Sequence, residues 1–463
     1  MAIDWVHQHI SNFNGDKNRI SLVGSSLGGS NAILQALHPD NKGIIKRVIA
    51  LGGTPFPTYK FSNFVKNTNG MLLVESVGCN LKTSEESMKC LRDKPLTDLY
   101  SGLDSLPYSL SFTPVVDHDF VISEPHTMLT GTGKDIDKAK ECFGSIDLML
   151  GLSNMEGGVH VVLMWSNILN ENPNTFTLNQ TDFIDIVVPT AMDIIFGEHV
   201  PDAIIQNVVF QYADRTDTNA KRRQNVVDIS TDIDVAAPIL KTAHFHYNIS
   251  TKSTYMYQFS GNLSLDMQLT PTWLEGANHG TEVYFMFGFS HRMIETWTHT
   301  AGFVPTKTER ITSAKMMTLL SNFIESGNPN TPDDPGSNVD EWQPYNDVTT
   351  SYLDISHDQL SANENFREPH MTFWTKIVPS LVDMIEINNE ENDDNATICN
   401  CDSHSNDDDD DLWFKLNPRL AENVILTLII MLGCVLIALI IICLLTVARQ
   451  NTGEYNMKTK GNK

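Results

Sequence analysis

The sequence predicts an α/β protein: a largely parallel sheet with helices over both faces. Two observations carry this. Short apolar runs of strand length alternate along the chain with segments whose apolar residues recur at spacings of three and four. One such run, Ile20 to Val23 in "RISLVGSSLGGSNA", passes through Gly24-Ser25-Ser26-Leu27-Gly28 directly into a helical pattern. The length of 463 residues allows a substantial buried core.

Taken in order, "IDWVHQHISNF" reads as an early helix, Ile20 to Val23 as a strand, "GGSNAILQAL" as a helix and "IIKRVIALGG" as a strand. Further strands are expected at "DLMLGLS" and "STYMYQFSG", and further helices at "TDFIDIVVPTAMDIIF" and "ERITSAKMMTLLSNFIES". The Pro/Gly/Asp-rich "ESGNPNTPDDPGSNVDEWQPY" reads as a surface loop. No internal repeat is visible. The folded part, residues 1–385, ends near Ile385.

The formal charge of −25 argues against a nucleic-acid partner, which would require an excess of Lys and Arg to displace counterions. Much of the excess lies in 386–423, where "EINNEENDDNATICNCDSHSNDDDDD" has too little apolar surface to order itself and reads as an extended, self-repelling stalk. A calcium site on Asp407 to Asp411 is disfavoured, because such loops space their ligands around a Gly turn. The next 24 residues, Val424 to Val447, carry no charge and suffice to cross a bilayer as a helix. The 448–463 tail is basic (Arg449, Lys458, Lys460, Lys463), which orients it to the cytoplasm and the large domain to the outside or lumen. The sequons at Asn179, Asn248, Asn262 and Asn395 all precede the span and make these asparagines glycosylation candidates. An outward-facing domain calls for a signal peptide, whereas "MAIDWVHQHISNFNGDK" is a polar amphipathic helix.

Cys79 and Cys90 bracket a short polar loop, as a disulfide would in an oxidising compartment; zinc would need two more ligands. Cys434 and Cys443 lie in the apolar span, Cys399 and Cys401 in the stalk, where they could tether a second chain, stay reduced or bind each other under strain, and Cys142 is left over.

Gly24 to Gly28 is a G-x-S-x-G turn. A strand before it and a helix after it are the context in which a serine is thrust out on a crowded backbone, with glycines at 24 and 28. A serine hydroxyl needs a base to take its proton and a carboxylate to orient that base. In a hydrolase of this kind the acid precedes the histidine in the chain. Glu156, after "DLMLGLS" and before two glycines, is the candidate acid, although spacing alone does not separate it from a surface glutamate on a turn. His279 in "LEGANHGTEVYF" is the candidate base. His244 and His246 in "AHFHY" compete for that role, but their alternation suggests a strand with both rings on one face, suited to structure or a weak metal site.

With these residues in place, "WVHQHISNFNGDKNRISLVGSSLGG" resembles the nucleophile region of the type-B carboxylesterase/cholinesterase family of α/β-hydrolases. Matching segments follow in order: the Cys79 to Cys90 spacing, "FTPVVDHDF", Gly151 to Gly157 as G-x-x-x-x-E-G, Trp273 to Glu282 as W-x-x-x-x-x-H-G-x-E, "SGNPN…WQPY" and "FWTKIVP". The resemblance spans residues 1 to about 385. It implies an α/β-hydrolase fold, Ser26 as nucleophile, Glu156 as orienting acid, His279 as base, the Leu27 amide as an oxyanion donor and the Cys79–Cys90 disulfide. It implies no cofactor and no metal. The retained triad separates the chain from the neuroligin-type adhesion members, where the serine position is typically not a serine; a catalytically silent adhesion protein with an extracellular protein partner is nonetheless the alternative to a serine esterase acting on a small-molecule ester.

Four departures from the family pattern stand out. Ser25 replaces the usual glutamate, weakening a choline-ester reading; Leu27 replaces a small alanine; and Ala237 and Met371 fall where a late disulfide's cysteines would be. The resemblance also begins just before the fifth strand of the usual sheet, so the expectation is a C-terminal part of a longer hydrolase, without its first strands and Gly-Gly oxyanion loop. "MTFWTKIVPSLVDMIEI" places apolar residues at helical spacing and admits either a homodimer contact or packing on its own domain.

Overall fold

In the computed structural model the four expected strands and two more assemble into one six-stranded sheet. The structure describes residues 1–56, 63–104, 114–196, 200–265, 270–289, 303–357, 359–382 and 384. The stalk, the Val424 to Val447 span, the tail, Asn395, Cys399, Cys401, Cys434 and Cys443 lie outside the described residues. Among the described residues no helix is long and apolar enough to cross a membrane.

The strands are β1 (Ile20–Ser25), β2 (Ile45–Leu51), β3 (Asp147–Ser153), β4 (Thr254–Phe259), β5 (Tyr352–Ser356) and β6 (Gln359–Asn363), and they lie side by side in chain order. β1 to β5 pair in parallel and β6 returns antiparallel to β5. Helices fill the crossovers: α1 (Ala2–His9) before the sheet, α2 (Leu27–Leu37) between β1 and β2, α3 (Lys134–Phe143) before β3, α4 (Ala237–Ile249) before β4, then α5 (Thr281–Met286) and α6 (Lys307–Ser326) before β5. This is the predicted mixed α/β sheet, and its arrangement is that of an α/β-hydrolase. The antiparallel β5–β6 pair was not among the expected strands.

Two cores follow from strand periodicity, since successive residues face opposite sides of a sheet. Val48 and Ala50 of β2 and Leu148, Leu150 and Leu152 of β3 join α2 and α4 in one cluster; Ile49, Leu51 and Met149 join Tyr255, Tyr257, Phe259 and α6 in the other. Being buried on both faces, β2, β3 and β4 read as continuous apolar runs rather than alternating ones. β1 differs. It pairs with β2 and with no other described strand, and Val23 is 40% exposed.

His244 and His246 correct the strand reading of "AHFHY". Both lie on the helix α4, where a step of two residues turns the side chain by roughly 200°. His244 is therefore exposed beside Asp347, with its Nδ1 2.9 Å from Oδ1, while His246 is fully buried between Thr254 Oγ1 and the Ile146 carbonyl. Burial pushes the His246 imidazole down to about 4, so it stays neutral in the core. Cys79 and Cys90 form the expected disulfide, and Cys142 is a free, buried thiol whose pKa burial raises. Ala237 and Met371, at the positions of the family's late cysteines, are both buried in the first core cluster.

Candidate active site

Parallel strands in register bring their C-terminal ends to one edge of the sheet, and the three candidate residues leave from that edge. β1 ends at Ser25 opposite Leu51, and the Ser26 N–H donates to the Leu51 carbonyl (2.7 Å). Ser26 then takes φ 57° and ψ −126°, and α2 begins at Leu27. A non-glycine residue at positive φ is strained and persists only where its surroundings hold it.

What holds it is backbone packed on backbone. A Cβ on Gly24 would lie 2.0 Å from the Gly28 carbonyl oxygen, and one on Gly53 would lie 1.9 Å from the Ser26 carbonyl oxygen. The expectation that Gly28 must be small corrects to Gly53: a Cβ at Gly28 meets nothing within 4 Å, and Gly28 contributes its carbonyl rather than its missing side chain. Leu27, where the family pattern has alanine, points its side chain outward and is 56% exposed, so it does not crowd the turn.

Glu156 follows β3 by three residues. Asn154 is bonded to β4 through the Phe259 carbonyl, and the Met155 N–H donates to the Ala277 carbonyl (2.9 Å) while Asn154 Oδ1 accepts from the Ala277 N–H (2.8 Å). These bonds zip the turn carrying Glu156 against the loop carrying His279. The result is a hydrogen bond between His279 Nδ1 and Glu156 Oε2, with Glu156 Oε1 accepting from the Ser153 N–H (2.8 Å). The Glu156 carboxylate is 2% exposed, whereas the imidazole is partly open to solvent. The Glu156 charge, against the opposing effect of burial, raises His279 to about 9, with a smaller push from Glu282.

Gly52 and Gly53 tie the nucleophile turn to this pair. Gly53 lies against the Ser26 backbone; Gly52, at φ 58°, faces the other way, and a Cβ there would lie 3.0 Å from Glu156 Oε1 and 3.6 Å from His279 Cε1. The hydrogen bonds that Ser26 makes among the described residues run through its backbone, and its hydroxyl caps no N–H of α2.

A second carboxylate, which the motif reading did not single out for a role, lies behind the pair. Glu282 sits in the first turn of α5, is 0% exposed, and accepts from Ser153 Oγ (2.6 Å) on Oε2. Its Oε1 has no hydrogen-bond partner and would be 3.6 Å from a Gly52 Cβ. Burial and then the nearby Glu156 charge push it up to about 7. The sequence signal was the acid three residues after His279 at a helix start. Among the described residues no group of three or more His, Cys, Asp or Glu is placed to hold a metal ion.

Asn179, Asn248 and Asn262 are all exposed. Asn179 caps a short helix by accepting from the Asp182 N–H, Asn248 donates to Asp347, and Asn262 accepts from the Gly276 N–H.

The pattern of the Carboxylesterase family matches residues 1–374. Human neuroligin-2 is 27% identical over 394 residues, 82% of this chain and 44% of that protein. Human bile salt-activated lipase is 27% identical over 81% of this chain and 47% of its own length, and mouse neuroligin-3 is 28% identical over 83% and 45%. The chain thus spans about half the length of the curated relatives it matches. With the family's pattern running through the sheet, the serine turn and both loops, the chain belongs to the carboxylesterase family.

Proposed function

We propose that the protein is a carboxylic ester hydrolase working through Ser26, His279 and Glu156, carried on the outer or lumenal side of a membrane by Val424 to Val447 above the acidic 386–423 stalk. The observation that supports it best is the buried Glu156 bonded to His279 Nδ1 at the sheet edge where Ser26 is held in its strained turn.

In this reading Ser26 Oγ attacks the ester carbonyl carbon and its proton passes to His279 Nε2. Glu156 holds Nδ1 protonated and stabilises the imidazolium that forms. The carbonyl oxygen becomes an oxyanion, to which the Leu27 N–H at the start of α2 donates. The imidazolium gives its proton to the departing alcohol, leaving an acyl-Ser26; water, deprotonated by His279, then releases the acid and restores the serine. No cofactor or metal enters these steps.

A second reading, a cholinesterase-like adhesion protein that uses the fold as a binding surface, is favoured by the neuroligin relatives. A fluorophosphonate probe on the full-length chain separates the two. Esterase function predicts covalent labelling that Ser26→Ala abolishes; folded protein without labelling rejects the esterase and leaves the adhesion scaffold.

A further inference from the structure

Behind the Glu156–His279 pair the structure packs more acid than a triad needs. Glu282 is completely buried, yet only one of its oxygens is hydrogen-bonded, to Ser153 Oγ. The other borders the space that the missing side chain of Gly52 leaves open: a Cβ there would lie 3.6 Å from Glu282 Oε1, 3.0 Å from Glu156 Oε1 and 3.6 Å from His279 Cε1. A buried, half-satisfied carboxylate is expensive, and two carboxylates around one small space are more so, because both cannot be charged without mutual repulsion. Burying an amide or an alkyl group there would have avoided the cost. The groups that face Glu282 are few: Glu156 from the turn after β3, His279 from the loop before α5, and Tyr257 from β4, whose buried hydroxyl also lacks a partner and whose pKa is raised by burial and then by the Glu282 and Glu156 charges. His279 is the one cationic group among them.

We propose that Glu282 is a positioning residue for the His279 base: its carboxylate shares the Gly52 space with Glu156, takes up or gives off a proton there, and thereby fixes the pH at which the imidazole becomes neutral. The inference rests on His279 being the base of the proposed site, and deepens that reading by assigning the site a built-in pH control. Ionised Glu282 stabilises the imidazolium and delays its deprotonation; protonated Glu282 does not. Proton release from the pair therefore belongs to the Glu156–His279–Glu282 cluster and not to the imidazole alone.

The test is the titration of His279 itself, read from its Cε1–H resonance in full-length protein labelled at histidine, with His279→Gln used to assign the signal. Glu282→Gln keeps the shape and the acceptor for Ser153 Oγ but removes the charge, so the His279 midpoint should fall by about 0.5 pH or more relative to wild type. Ser153→Ala provides an independent arm: stripping the hydrogen bond from Glu282 Oε2 makes that carboxylate harder to ionise, and the midpoint should fall again. Unchanged midpoints in folded Glu282→Gln and Ser153→Ala proteins would overturn the proposal and leave Glu282 a packing residue. Fluorophosphonate labelling keeps the two claims apart. If the titration shifts and wild type does not label, the esterase reading fails while the control of His279 by Glu282 stands; if wild type labels and the titration does not move, the reverse holds.

Discussion

The pH behaviour of the proposed site is read at one imidazole, His279, whose titration its carboxylate neighbours shift. In the proposed esterase His279 must be neutral to accept the Ser26 proton, and Glu156 raises its pKa to about 9. The predicted kcat/KM with a simple ester therefore rises from pH 7 toward about pH 9; a profile already flat at pH 7 would contradict this. The same shift appears in stability. A folded pKa above the unfolded value stabilises the protein fully below about 6.5, and the contribution is lost as pH rises through about 9. Replacing Glu156 by Gln should move the acid limb to lower pH and lower kcat by roughly 10³- to 10⁴-fold, since the imidazole loses both its orienting partner and its stabilising charge. Backbone crowding yields an independent prediction. Gly53→Ala forces a methyl into the Ser26 carbonyl, and overpacking of this kind typically costs about 1–3 kcal/mol, measurable as a lowered denaturation midpoint together with loss of probe labelling. Of these residues Ser26, Glu156 and His279 could be named as candidates from the sequence because each lies in a local motif. Gly52 and Gly53 matter through contacts between stretches far apart in sequence, which a single chain does not display, and Glu282, although only three residues from His279, through its burial against Ser153.

The strands that could be read are those whose surroundings are uniform. "IKRVIAL" and "DLMLGLS" are covered on both faces, and burial imposes an apolar run on each. β5 and β6 are not: Leu353, Ile355 and Leu360 supply their buried side chains, the rest is polar, and "YLDISHDQLSAN" carries too weak a pattern to separate from loop. Histidine alternation in α4 misled in the opposite direction, because a two-residue spacing is ambiguous until the helix period around it is recognised. The chain after β6 is anchored by a device the sequence does not announce. Asp232, fully buried, accepts from Arg367 (2.7 Å), Tyr212 (2.7 Å) and the His370 ring (2.8 Å), and Trp374 donates to the same Tyr212 hydroxyl. Burial alone would raise this carboxyl, but Arg367 and the bonds from His370 and Tyr212 outweigh it and hold it below the usual range. Its contribution is thus present above about pH 4 and lost as pH falls through the lowered value. Asp232→Ala would leave Arg367 unpaired in the interior and should cost about 3–5 kcal/mol in urea unfolding; a loss under about 1 kcal/mol would show that the anchor carries little of the stability.

At the scale of the whole molecule, the asymmetry of charge and hydropathy makes the last prediction. The whole of the acidic excess, a net −28, lies before Val424 to Val447 and a tail of net +3 lies after it, a distribution suited to a membrane-spanning segment. Full-length protein expressed in a secretory cell should therefore stay in the membrane pellet after alkaline carbonate extraction, and deletion of 424–463 should release it. Orientation is read separately by glycans. Asn179, Asn248 and Asn262 are exposed on the folded domain, yet each already uses its amide in a local hydrogen bond, so attachment must precede or displace that bond. Asn248, on a helix and bonded to both Asp347 and the His244 carbonyl, should be modified least; Asn262, on a loop with a single bond to the Gly276 N–H, most. Glycosidase digestion of Asn→Gln variants orders the three. A membrane-retained protein bearing no glycan at any of them, while a protease added outside sealed vesicles digests the large domain, would place that domain in the cytoplasm and remove the oxidising compartment that the Cys79–Cys90 bond requires.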